Sequence, residues 1–310
     1  MKAFSLNRLV TGLALSGSLI LSSGAIASGQ LTVAIPTDAG NWDPIDTYMV
    51  AWSAVANNVY DGLLERDVNL ELKPALATSW EVLDDNKRIR FHLREGVTFH
   101  NGEKFNADAV KFTFDRLLGE EGKAGPQRSN YTSIGSIEVI DEYTVDFHMA
   151  TADPVILTKL AGYGAMIVPP KYLAEVGTDY FNRHPVGTGP FKMTDYKPKT
   201  SVTLERYDNF WGDVAKVDSV RFRFIREAAT RVAELEAGRV DVIDNVPTAL
   251  VPQLQESSKS QLVAVSGPTT YAFRFNTQAG LTKDVRVRKA LTMAIDRQMI
   301  IDSILMGQGR

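Results

Sequence analysis

The stretch Pro185-Val186-Gly187-Thr188-Gly189-Pro190-Phe191-Lys192, with Phe210-Trp211-Gly212-Asp213 about one strand pair downstream, decides the reading of this chain. The two prolines fix φ and push the residues before them toward extended geometry. Gly187 and Gly189 permit backbone angles that other residues tolerate poorly. Strand-like sequence follows at Val202-Thr203-Leu204. The pattern reads as a chain crossing between two domains rather than as an ordinary loop.

The chain has 310 residues, 44% of them hydrophobic and 23% charged, which is enough core-forming material for about two domains. A net charge of −3 leaves no basic footprint for a nucleic-acid partner. With 0 Cys there is no disulfide, no cysteine-based zinc site and no catalytic thiol.

Residues 1–27 read as an export signal. Lys2 and Arg8 form a positive start, Leu9 to Leu21 is apolar, and Ala25-Ile26-Ala27 fits a cleavage site after Ala27. The apolar run is short and broken by Gly12, Ser16, Gly17 and Ser18, which argues against a permanent anchor. No cysteine follows to carry a lipid.

Leu31 to Ile35 is the first predicted strand. Ala51, Trp52, Val55, Val59 and Leu63 then fall on one helical face, and Trp52 reads as core. Arg88 to Leu93 alternates with period two. Asn106 is a good N-cap for a helix with Val110, Phe114, Leu117 and Leu118 on its apolar stripe. Gly119 to Arg128 reads as a surface loop. Residues 137–140 and 144–149 form a predicted hairpin. A strand-rich stretch runs to Phe224. A helix over Ala228 to Ala237 ends at Gly238, and strands follow at Val240 to Ile243 and Tyr271 to Phe275. Asp284 and Asp296 cap two final helices.

No catalytic constellation is readable. G-x-S-x-G after the leader, H-E-x-x-H and the phosphate-cradling G-x-x-x-x-G-K-[ST] are all absent. His92 and His148 lie in strand-like sequence and read as solvent-face residues. No histidine pair has metal-site helical spacing, and no cofactor is implied.

A series of motifs in order resembles the peptide/nickel class of extracytoplasmic solute-binding proteins (solute-binding protein family 5), which serve ABC importers. They are Val59-Tyr60-Asp61-Gly62-Leu63-Leu64, Pro74 to Trp80, Phe91 to Gly102, the crossing at Pro185, and Phe210-Trp211-Gly212. Leu235 to Asp241, Phe275-Asn276-Thr277, Val285 to Leu291 and Ala294 to Arg297 complete the series. The resemblance covers essentially residues 31–310.

The resemblance implies an α/β fold, a two-lobed periplasmic-binding-protein-like clam (type II-like) with an inserted subdomain. Residues 28–65 and 185–266 make the first lobe, 66–184 the inserted subdomain, and 267–310 the start of a second lobe. Family members are markedly longer, so the second lobe is incomplete here. The implied function is capture of a small polar solute and its delivery to membrane permease subunits, by a monomer in the periplasm. A di- or oligopeptide is the first expectation; nickel chelate, oligosaccharide and opine-like ligands stay open. A non-binding product of a truncated gene and a secreted hydrolase are the rival readings. In the family, the region of Trp42 to Trp52 faces the cleft, which makes Tyr48 a ligand-binding candidate. Arg128 and Tyr131 follow the polar loop that often reaches the ligand, and Arg128 suits a ligand carboxylate. Tyr163 stands between Gly162 and Gly164, whose small size admits close approach.

Overall fold

A computed structural model describes residues 29–264, 272–307 and 309. The export signal lies outside the described residues. In chain order the strands are β1 (Gln30–Ile35), β2 (Leu64–Arg66), β3 (Leu72–Pro74), β4 (Ala77–Leu83), β5 (Arg88–Leu93) and β6 (Ile134–Asp141). They continue with β7 (Thr144–Met149), β8 (Phe191–Lys197), β9 (Ser201–Arg206), β10 (Ser219–Phe224) and β11 (Val242–Ile243). The helices are α1 (Val50–Ala56), α2 (Ala107–Leu118), α3 (Glu120–Ala124), α4 (Ile156–Leu160) and α5 (Pro170–Val176). After them come α6 (Thr178–Phe181), α7 (Ala228–Glu236), α8 (Val251–Glu256), α9 (Val285–Met293) and α10 (Arg297–Ser303).

Two large sheets carry the structure, beside an antiparallel two-stranded pair, β2 with β3. One has the order β11-β1-β10-β9-β8, with β1 parallel to β10 and β11 and the remaining pairs antiparallel. The other is β4-β5-β7-β6, antiparallel throughout. In β5 the alternation buries Ile89, Phe91 and Leu93 and leaves the arginines on the other face, as the period predicts. Asp146 on β7 accepts from Arg88 and Arg90, whose guanidinium groups hold its carboxyl below the usual range. Helix α2 begins where Asn106 Oδ1 accepts from the Ala109 N–H. It lays Val110, Phe114 and Leu117 on this sheet, with the Phe114 and Phe147 rings 4.8 Å apart edge-to-face. A second core packs Trp42, Trp52, Val55 and Tyr60 against Phe191, Val202, Leu204 and Phe222 of the first sheet.

The structure departs from the sequence reading in four places. Helix α1 stops at Ala56, seven residues before Leu63, the last residue of the predicted stripe. Val59 and Leu63 are buried as their pattern requires, but on irregular backbone that binds the crossing. Residues 119–128 hold the short helix α3, favoured by Glu120 and Glu121 in its first turn. Strand pairing at 240–243 reaches only Val242 and Ile243, because the Asp241 carboxylate takes the Thr32 N–H itself. The predicted strand at 271–275 is not one over residues 272–275; Tyr271 lies outside the described residues.

The Gly/Pro stretch owes its glycines to crowding rather than to angle. Neither Gly187 nor Gly189 has positive φ. A Cβ on Gly187 would sit 2.1 Å from the Val59 carbonyl oxygen, and one on Gly189 2.7 Å from the Val59 carbonyl carbon. The Gly189 N–H donates to that same Val59 carbonyl at 2.9 Å. Asp61 then gathers the sequence motifs together. Its Oδ2 accepts from Thr188 Oγ1 and from Trp211 Nε1, both at 2.8 Å. The Arg94 guanidinium lies 4.3 Å over the Trp211 ring.

Candidate functional site

The loop after β1 is built on a buried carboxylate. Asp43 precedes Pro44, and its Oδ1 accepts from the Ile45 N–H, starting a short 3-10 turn over Pro44–Asp46. Asp43 is fully buried, and Arg116 near the end of α2 meets both its oxygens in a bidentate pair. The backbone amide of Asp43 donates to Asn182 Oδ1 at 3.1 Å, and the Tyr60 hydroxyl donates to the Trp42 carbonyl at 3.1 Å. Burial and the neighbouring Asp43 charge raise the carboxyl pKa of Asp46, against the pull of Arg116.

From this anchored turn emerges an exposed apolar ridge: Tyr48 is 53% exposed, Met49 38% and Val50 78%. A second turn, Pro126 to Ser129, flanks it. The Tyr48 hydroxyl donates to the Pro126 carbonyl and lies 3.3 Å from Ser129 Oγ. Buried Gln127 donates through Nε2 to the Thr47 carbonyl. Gly125 closes the joint, since a Cβ there would stand 2.6 Å from the Ile45 carbonyl oxygen.

The four sequence candidates have distinct fates. Tyr48 reaches across to the second turn at Pro126 and Ser129, on either side of Gln127 and Arg128. Arg128 is half-buried, and its Nε donates to the Leu118 carbonyl at 3.0 Å, satisfying a helix-end acceptor. It pairs with no carboxylate among the described residues. Tyr131 is 1% exposed, and its hydroxyl donates to the Lys159 carbonyl at 2.8 Å. In this arrangement Tyr131 is a core residue rather than a wall of an open surface. Its apolar neighbours, Phe114 among them, enclose a ring that the sequence places beside half-buried Asn130 only by adjacency. It lies beneath Gly162 and Gly164, whose added Cβ atoms would come within 3.4 Å and 2.9 Å of it. Tyr163 packs its ring 5.3 Å from Trp52 and lines a separate recess of about 520 Å³ with Tyr60, Asp61, Glu65 and Met166.

Sequence reasoning missed the anchoring role of Asp43, and it missed Arg116 and Gln127, which hold these turns, and His100, which holds the Gly/Pro crossing. Asp43 carried a readable signal, an aspartate directly before a helical proline. Half-buried His100 carried none. Its Nε2–H donates to the Gly189 carbonyl at 2.9 Å, and its Nδ1 accepts from the Gly187 N–H, so the ring is neutral. Burial depresses its pKa to about 4. Burial acts oppositely on the Asp61 carboxyl, pushing it up to about 6. The half-exposed His92 and His148 face Glu81 and Glu138. Among the described residues no cluster of three metal-ligating side chains occurs, and no helix is long and apolar enough to cross a membrane.

Residues 71–310 match the family described as bacterial extracellular solute-binding proteins, family 5 (middle region). The chain belongs to that family, whose members bind solutes. The chain is 30% identical over 309 residues to di/tripeptide-binding protein 1 of Pseudomonas aeruginosa, covering 92% of this chain and 57% of that protein. It is 30% identical over 280 residues to heme-binding protein A of Haemophilus influenzae, covering 84% of this chain and 51% of that one. Its fold superposes on NikZ from Campylobacter jejuni, solved in complex with Ni(L-His), with a TM-score of 0.82 at 27% identity. That match covers 90% of this chain and 55% of NikZ. The chain thus spans about half the length of the relatives it matches.

Proposed function

We propose that this chain is the solute-capturing component of an ABC importer, and that the Tyr48–Val50 ridge with the Pro126–Ser129 turn forms one wall of its ligand cleft. The observation that carries the reading is an exposed aromatic and aliphatic ridge held on a rigid, buried ionic anchor. Apolar walls with a few directed polar groups are what small-solute recognition requires. Tyr48 and Val50 supply the wall, and Arg128 supplies a guanidinium for a ligand carboxylate. Tyr163 extends the surface, and Tyr131 supports its loop from below.

In this reading residues 28–65 and 185–266 form the first lobe, 66–184 the inserted subdomain, and 267–310 the start of the second. The protein is exported, cleaved after Ala27, and works in the periplasm as a monomer that permease subunits recognise. Ligand contact with both lobes stabilises the closed state. A di- or oligopeptide, or a peptide-like compound, is the favoured solute; a peptide-binding relative supports this, and the heme-binding one keeps the class open. The test is native mass spectrometry of the exported protein purified without refolding. A mass of residues 28–310 plus a small molecule supports capture. An apo mass that stays unchanged on adding a mixed dipeptide pool overturns it in favour of a non-binding product.

A further inference from the structure

We propose that the Asp43–Arg116 pair is a positioning device for the ligand wall: one guanidinium sets the reach between the Tyr48 ridge and the Pro126–Ser129 turn. The assignment of these turns as a ligand wall rests on the function proposed above; the positioning itself does not.

The geometry is that of a two-armed clamp. On one side Arg116 takes both oxygens of Asp43, the residue that starts the turn leading directly to Tyr48. On the other, Arg116 Nε donates at 2.7 Å to Glu121 in the first turn of α3, the element that leads to Gly125 and the second turn. Thr178 Oγ1 lies 3.3 Å from the same Glu121 oxygen and steadies it. Arg116 is itself fixed by the last turns of α2, where a cation is favoured. The side chains of Arg116 and Asp43 are 3% and 0% exposed, so neither can touch a solute. Their effect on binding must pass through the backbone they hold. A planar fork takes both oxygens of one carboxylate while its Nε–H meets a second at a fixed angle; an ammonium's rotatable donors fix no such geometry. The direct hydrogen bonds across the two turns are few: Tyr48 with Pro126 and Ser129, and Gln127 to Thr47.

The test uses the whole chain with two substitutions, Arg116→Lys and Glu121→Gln, read by hydrogen exchange at three places. These are residues 44–50, residues 120–131, and β5 with β7 as an internal reference. Arg116→Lys keeps the buried charge and loses the fork, so exchange should rise at least tenfold in both turns while β5 and β7 stay unchanged. Glu121→Gln cuts the exposed arm alone, so exchange should rise in 120–131 and not in 44–50. Uniform acceleration in Arg116→Lys, including β5 and β7, would reduce the pair to general stability and overturn the proposal. So would unchanged exchange in either turn. A binding arm with the dipeptide Ala-Phe as probe separates the two readings. If wild type binds, Arg116→Lys should weaken it at least tenfold, and equal binding overturns positioning. If wild type does not bind Ala-Phe, that peptide assignment fails while the exchange pattern still decides the positioning.

Discussion

His100 and Asp61 hold the same backbone crossing from two sides, and their proton affinities are displaced in opposite directions. Burial takes His100 from about 6.5 down to about 4. Between those values the unfolded chain binds the extra proton and the folded chain does not, so this residue's contribution to stability is lost as pH falls. Asp61 moves from 3.8 up to about 6, because burial outweighs the hydrogen bonds from Trp211 and Thr188. Here the folded chain binds the extra proton, so acidification from pH 6 toward 4 stabilises. Each displacement corresponds to roughly 3 kcal/mol at its limit, and across that window the two oppose each other. His100→Gln should therefore leave a protein whose stability rises, relative to wild type, as pH drops from 6 to 4. Asp61→Asn keeps an acceptor for Trp211 and Thr188 and should show the reverse trend. Urea midpoints at pH 4, 5, 6 and 7 read both slopes, and two variants running parallel to wild type would refute the opposition.

At the scale of elements, the crossing gains its sequence signature from packing, and a pair of glycine substitutions separates packing from backbone freedom. Gly187→Ala drives a methyl into the backbone carbonyl of Val59, with no flexible side chain to yield, and should cost about 3 kcal/mol or more. Gly96 has φ +75 and open space around its missing Cβ. Gly96→Ala should cost only about 1 kcal/mol, the strain of a left-handed alanine. Equal losses in thermal unfolding would contradict the close-approach account. The same contrast explains what the sequence made legible. Alternation in β5, the Asn106, Asp284 and Asp296 caps, and the Gly238 stop are local signals, and each stands where it was read. The end of α1 was not legible, because Val59 and Leu63 keep helical spacing while the backbone leaves the helix to meet Gly189 and Ala77. The burial of Tyr131 was not legible for a related reason: sequence adjacency to a polar turn does not reveal that its ring enters the α2 core. The Arg116–Asp43 pair spans 73 residues, and no local pattern announces a partner at that range.

Across the whole molecule, burial is unevenly shared. Leu254 is the last buried apolar side chain in the described sequence, and neither α9 nor α10 buries a residue. Arg231 stands near the end of the packed part, which closes with Leu254. Itself buried, Arg231 donates to the carbonyls of Ile225 and Arg226 after β10 and of Asn245 after β11, tying both strand exits together. Beyond it, Leu291, Met293, Met299 and Ile304 are all more than 40% exposed. A helix without a buried face gains little from tertiary packing, and short isolated helices are marginal in water. The region after Ser257 should therefore open at a lower free energy than the two sheets. Brief trypsin treatment tests this, because Lys259, Arg274, Lys283, Arg286 and Lys289 are exposed there. Cleavage should run through these sites first and leave a fragment ending near Lys259. That fragment keeps both cores, so its thermal midpoint should lie within a few degrees of the uncut chain's. Protection of residues 272–307 equal to that of β5 and β7 would mean that α9 and α10 have found a packing partner, such as a second copy, and the midpoint would then depend on protein concentration.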